Sequence, residues 1–262
     1  MLEIRGLSAV IEGVQVLRKV DFALDEGATV ALIGRNGAGK TSLLRAIMGF
    51  MTVTEGTIAF DGRPILTVPP HERPRLGIGY APEDRRLFSS FSIEENIRLP
   101  AEVMKVPGAE IARRLEGIYQ VLPELAELRH RAAAGLSGGQ GKMAALARAL
   151  MVGQRVILLD EPFQGLAPVL AQRYATALRA LRDSHPEIAL LITEFRRARL
   201  CDRARRGHGG GRRPGGEFAR SGGAALGSGR ARPSARDGQR AAQDIRCRKY
   251  IRRLRHAGRA LG

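Results

Sequence analysis

Eight consecutive residues constrain the rest of this chain: Gly34-Arg35-Asn36-Gly37-Ala38-Gly39-Lys40-Thr41. The spacing is G-x-x-x-x-G-K-[ST], a phosphate-binding loop. An apolar run with β propensity, Ala28 to Ile33, leads into it, and a run of helical composition, Thr41-Ser42-Leu43-Leu44-Arg45-Ala46-Ile47-Met48, leads out. Strand, loop and helix therefore stand in the order such a cradle needs. Glycines let backbone N–H groups turn inward on a phosphate chain, and the helix N-terminus adds its positive end. In this reading residues 34–42 form the cradle, Ser42 included; Lys40 reaches the β- and γ-phosphates, and Thr41 places its hydroxyl on Mg²⁺. The plain alternative, a glycine-rich turn that carries a lysine, loses ground with each motif that follows.

The apolar pattern supplies the surroundings. Leu2, Ile4, Leu7, Val14, Val16, Leu17, Val20, Phe22 and Leu24 alternate around Glu12-Gly13 and stop at Asp25-Glu26-Gly27, which predicts short antiparallel strands. Gly56 to Gly62 and Gly77 to Pro82 read as two more strands. Residues 92–134 are helix-prone, and Pro100, Pro107 and Pro123 are expected to divide them. Helical faces follow over 142–151 and 168–183. Val156-Ile157-Leu158-Leu159 and Ile188-Ala189-Leu190-Leu191-Ile192 are uninterrupted apolar strands. Such strands alternating with amphipathic helices predict a parallel sheet covered on both faces.

Two further motifs bear on chemistry. Asp160 and Glu161 follow the strand 156–159, and Asp160 lies 120 residues beyond Lys40. At the carboxyl end of a parallel strand Asp160 faces the crevice where ligands bind and can hold Mg²⁺ through water, while Glu161 can orient and polarise an attacking water. Leu136-Ser137-Gly138-Gly139-Gln140 then offers exposed amides and a hydroxyl just before a helix, a second anion site of the same physical kind. One nucleotide does not need two such sites from one chain. Head-to-tail pairing of two chains, each nucleotide lying between one chain's phosphate loop and the other's Ser-Gly-Gly loop, uses both.

With these three motifs in this order, residues 1–195 resemble the ATP-binding cassette (ABC) ATPases. The resemblance implies an α/β P-loop NTPase fold: a mixed sheet, an N-terminal antiparallel β subdomain and an inserted α-helical subdomain at about 85–150, within a cassette over 1–204. It also implies ATP and Mg²⁺ as ligands, Lys40, Glu161 and Glu83 as catalytic-site residues, and Thr41 and Asp160 at the metal. Ser137, Gly138, Gly139 and Gln140 would complete the partner's site. Glu83 sits where many members carry a loop glutamine. Pro82-Glu83-Asp84-Arg85-Arg86 and Glu161-Pro162-Phe163-Gln164-Gly165-Leu166-Ala167-Pro168 are similar to runs in the importer ATPases for branched-chain amino acids, and other amide or urea importers share them. Residues 88–96 resemble the surface that meets a membrane partner. The implied partners are a second ABC ATPase chain (identical or different), integral membrane permease subunits and, indirectly, a periplasmic solute-binding protein. The implied location is cytoplasmic, on the inner face of the cell membrane.

Three departures qualify the resemblance. No aromatic residue lies between Met1 and Phe22, so Ile11 stands near the usual adenine-stacking position. Weak base selectivity is the expectation, and strong preference for ATP over GTP in a binding comparison would refute it. Glu194 stands where a histidine usually donates to the γ-phosphate; an ionised carboxylate cannot donate and would repel it. His185, before Pro186, reads as a surface residue.

The third departure is the tail. Residues 196–262 hold 20 Arg and Lys against 4 Asp and Glu, so +16 of the net charge of +17 lies there and residues 1–195 stand at +1. Family-like sequence stops near residue 204, and 205–262 is Arg/Gly-rich with few aliphatics, which predicts a disordered segment. Two readings stay open: a tail that binds phosphate backbones, or a shift of reading frame in a GC-rich gene. The second is preferred, because the tail replaces strands the fold should have; resequencing decides it. Nucleic acid is otherwise not an expected partner, since one cassette without a long heptad run does not resemble the soluble ABC proteins that act on it. A truncated, inactive cassette is the remaining alternative. No apolar stretch is long enough to span a membrane, the start has no leader pattern, and Cys201 and Cys247 have no metal-ligand spacing.

Overall fold

The computed structural model describes residues 1–194. The expectations for Phe195 onward, including the tail, lie outside the described residues. Strands β1 (Leu2–Ile11) and β2 (Val14–Leu24) form a hairpin about Glu12 and Gly13, both at positive φ (48° and 79°). A two-residue turn of this hand matches the twist of the flanking strands. β4 (Thr52–Phe60) pairs with the other side of β1, and the two-residue β5 (Arg63–Pro64) closes an antiparallel sheet of order β2-β1-β4-β5.

A second sheet is parallel: β3 (Thr29–Ile33), β8 (Ala189–Glu194), β7 (Val156–Asp160) and β6 (Ile78–Ala81), in that order. Every residue of β7 and β8 is buried. Alternate side chains serve two cores. Val156, Leu158, Ala189 and Leu191 join the first core with Leu2, Ile4 and Leu17 of the hairpin and with Leu43, Leu44 and Ile47 of helix α1 (Lys40–Ile47). Ile157, Leu159, Leu190 and Ile192 join the second, under the helices. This is why these strands show no polar alternation.

Those helices are α2 (Ile93–Val103), α3 (Gly108–Val121), α4 (Pro123–Glu127), α5 (Gly138–Val152) and α6 (Pro168–Ser184). Pro107 caps α3 and Pro123 opens α4, as helix-starting prolines do. Pro100 does not divide the region as expected: it lies inside α2. A capping box between Ser92 and Glu95 fixes the first turn of α2, and Ile93, Ile97 and Ala101 are fully buried on one face. Burial of that face outweighs the one backbone hydrogen bond that proline forgoes. α5 lies so close to β6 that a Cβ on Gly79 would come within 2.2 Å of the Ala149 carbonyl oxygen.

Candidate functional site

Parallel pairing brings three strand ends to one edge. Ile33 is in register with Glu194 and Asp160 with Thr193. The loop after β3 and the first residue after β7 therefore meet at the carboxyl edge of the sheet, where α/β folds bind ligands.

The loop from Gly34 to Gly39 is a cradle. Gly37 and Gly39 take positive φ (78° and 84°), and a Cβ on Gly34 would press to 3.2 Å from the Ala38 methyl. Larger residues at these points would strain the turn or narrow it. Lys40 is buried at the N-terminus of α1, and its Nζ donates to the carbonyls of Gly34 (3.0 Å) and Arg35 (3.2 Å) and pairs with Glu161 Oε1 at 3.2 Å. Arg35 and Asn36 are exposed at the rim, and Ser42 follows Thr41 in the first turn of α1.

Asp160 accepts three hydroxyl hydrogen bonds: from Thr41 Oγ1 (2.9 Å) and Thr193 Oγ1 (2.7 Å) to Oδ1, and from Tyr80 to Oδ2 (3.4 Å). Burial first, then the Asp160 charge and hydrogen bond, push the Tyr80 phenol above its usual value. Glu161 is buried and has φ of 44°, a left-handed conformation uncommon for a residue other than glycine. Its N–H donates to Thr193 Oγ1 at 3.0 Å, and its carbonyl accepts from Lys142 Nζ at 2.7 Å and from the Gln164 N–H at 3.1 Å. A hydroxyl and a carboxylate side by side, Thr41 and Asp160, suit a hard divalent cation whose remaining ligands are phosphate and water. Among the described residues no cluster of three or more acidic, His or Cys donors offers a self-sufficient metal cage.

The structure therefore brings Gly34 to Ser42, Asp160 and Glu161 together. It does not bring Ser137, Gly138, Gly139 and Gln140 into contact with them: no hydrogen bond or ion pair joins the two groups. Ser137 caps α5 in a capping box, its Oγ accepting from Gln140 N (3.3 Å) while Gln140 Oε1 accepts from Ser137 N (3.0 Å). Gly139 is packed so closely that a Cβ would lie 2.4 Å from Leu170 Cδ1. Glu83 is exposed in the loop after β6. Glu194 is buried, and its Oε1 accepts from the Phe163 N–H at 3.2 Å. His185 lies at the surface, as read from sequence, and the structure pairs it with Glu187. Ile11 is partly exposed at the end of β1.

Four residues of this constellation were missed. Thr193 is the one hydroxyl of β8, just after the apolar run 189–192, a signal available in the sequence. Tyr80 and Lys142 carry no local mark. Arg148 of α5 donates to the carbonyls of Arg85 (2.7 Å) and Arg86 (2.6 Å), two consecutive left-handed residues just beyond Glu83.

The family model of the ABC transporter matches residues 17–164. Among curated proteins, the "Probable branched-chain amino acid transport ATP-binding protein LivF" of Archaeoglobus fulgidus is 34% identical over 194 residues, 74% of this chain and 81% of that protein. The high-affinity branched-chain amino acid transport ATP-binding protein BraG of Pseudomonas aeruginosa is 32% identical over 205 residues, 78% and 87% of the two chains. The sulfate/thiosulfate import ATP-binding protein CysA of Mycobacterium bovis is 37% identical over 177 residues, 68% of this chain and 49% of that protein. Among solved structures, the ADP conformation of an ATP-binding cassette of an ABC transporter aligns with a TM-score of 0.66 at 26% identity, over 77% of this chain and 84% of that one. The matched stretch spans more than half of the chain and includes the phosphate loop, the Ser-Gly-Gly loop, Asp160 and Glu161, and the chain belongs to the ABC transporter family as an ATP-binding ATPase domain.

Proposed function

We propose that this chain hydrolyses ATP to power an importer of branched-chain or related amino acids. The observation that carries the hydrolytic half is the convergence of Lys40, Thr41, Asp160 and Glu161 at one sheet edge. The amides of residues 34–39 and Lys40 hold the phosphate chain, with Ser42 beside them. Thr41 and Asp160 hold Mg²⁺, which when bound neutralises charge on the phosphate oxygens. Glu161 orients the attacking water and accepts its proton, while Lys40 offsets the charge that grows on the transferred phosphoryl oxygens.

Ser137 to Gln140 serve the partner chain's nucleotide, so that a dimer of cassettes, identical or different, closes on ATP and reopens after hydrolysis. Glu83 links the site to permease subunits. Among the described residues no helix is long and apolar enough to cross a membrane, so transport in this reading needs separate membrane chains, with a periplasmic solute-binding protein delivering to them and this chain docked at the inner face. The two similar runs around Glu83 and Glu161 support branched-chain solutes, as do the names of two relatives; CysA marks how widely the family ranges.

Steady-state hydrolysis by the purified chain beside Glu161→Gln tests the catalytic half. Turnover in the first and none in the second is the expected result; equal turnover in both overturns the role of Glu161. For the solute, uptake of labelled leucine, isoleucine and valine is expected to fall in cells lacking the gene, and unchanged uptake removes the amino-acid reading.

A further inference from the structure

Among the side chains at the site that neither its motifs nor the proposed roles use, Lys142 reaches furthest into it. Lys142, about one turn into α5, reaches across to the main chain of Glu161 and donates to its carbonyl at 2.7 Å. Glu161 stands in a left-handed conformation just past the end of β7, where the side-chain direction depends on the turn being held. Thr193 fixes the N–H of that residue and Lys142 its carbonyl. The two bonds approach the same peptide segment from different elements, a strand and a helix.

Lys142 is also the cation among several acids. Burial pushes its ammonium below the usual lysine value, as does Arg85, while Glu83, Glu194 and Glu161 act in the opposite direction. Asp160, Glu161 and Glu194 are all buried around this edge, and Lys40 is the other lysine there.

We propose that Lys142 is a positioning residue: it holds the Glu161 turn from the α5 side and so fixes where the Glu161 carboxylate stands. The proposal rests on the reading of Glu161 as the residue that orients water. Because Lys142 acts on the turn rather than on the nucleotide, its removal belongs in kcat and not in binding.

The test compares the parent chain, Lys142→Met, Lys142→Arg and Glu161→Gln. Each is assayed for kcat, KM and ATP affinity, with thermal melting to normalise for folded protein. Lys142→Met is expected to lose about tenfold or more in kcat with KM and affinity within about twofold of the parent. Lys142→Arg, which keeps the charge and the donor, is expected to recover most of the loss. An undiminished kcat in Lys142→Met, or a loss that Lys142→Arg leaves unrepaired, overturns the proposal. If Glu161→Gln hydrolyses like the parent, the reading of Glu161 falls as well; if Glu161→Gln is inert and Lys142→Met is not, the role of Lys142 alone falls.

Discussion

Thr193 shows what a single hydroxyl does at this edge. It donates to Asp160 and accepts from the Glu161 amide, so one side chain ties both acids to β8. Thr193→Val keeps the shape and removes both bonds, leaving a buried N–H and a carboxylate short of one partner. We expect a loss of about 1–3 kcal/mol in urea unfolding, with a fall in hydrolysis beyond what the unfolded fraction explains. Lys40, Thr41, Asp160 and Glu161 were legible in the sequence because each lies in a short run whose spacing has one physical use. Tyr80 and Lys142 were not, and Thr193 stood out only as a hydroxyl, because the partners of all three come from other strands or helices. The apolar runs 156–159 and 188–192 say that strands lie there; they do not say that Asp160 and Thr193 share a register. The loop Ser137 to Gln140 is a mixed case. Its helix was expected, but the side chains of Ser137 and Gln140 cap one another, so the Ser137 hydroxyl serves the helix as an acceptor, a role the anion-site reading did not include.

Among elements, α2 departs most from the sequence reading. Proline in a helix interior removes a backbone bond and crowds the preceding turn, which is why Pro100 reads as a break. The capped first turn and the buried face of Ile93, Ile97 and Ala101 hold the helix regardless. The helix thus carries a local penalty that its packing offsets. Pro100→Ala is expected to stabilise the chain by about 1–3 kcal/mol, visible as a higher denaturation midpoint with the slope unchanged. A lower midpoint would mean that the proline ring supplies packing of its own. Several other elements followed from simple rules: alternation for the hairpin, Pro107 and Pro123 at helix starts, and unbroken apolar runs for β7 and β8.

At the scale of the whole molecule, β7 and β8 divide their side chains between two cores, one under the hairpin and α1, the other under the helices. The class of fold was legible from this apolar continuity. The contact distances between layers were not, since they depend on which residues face each other across them. Gly79 is the sharpest example: its missing side chain lets α5 lie on β6 with Ala149 and Gly153 against the strand. Gly79→Ala must push that helix away from the sheet and is expected to destabilise by about 2–3 kcal/mol, more than a surface substitution would. Because α5 also carries Lys142 and the Ser137 loop, hydrolysis should fall further than stability alone predicts. The bond from Tyr80 to Asp160 has a consequence of another sort. The chain has no tryptophan and four tyrosines, so its near-ultraviolet emission is tyrosine emission, and a phenol that donates to a carboxylate is quenched. Any ligand that draws Asp160 away from Tyr80 should brighten the protein, and Tyr80→Phe should abolish that response, making the intact chain its own optical reporter of site occupancy.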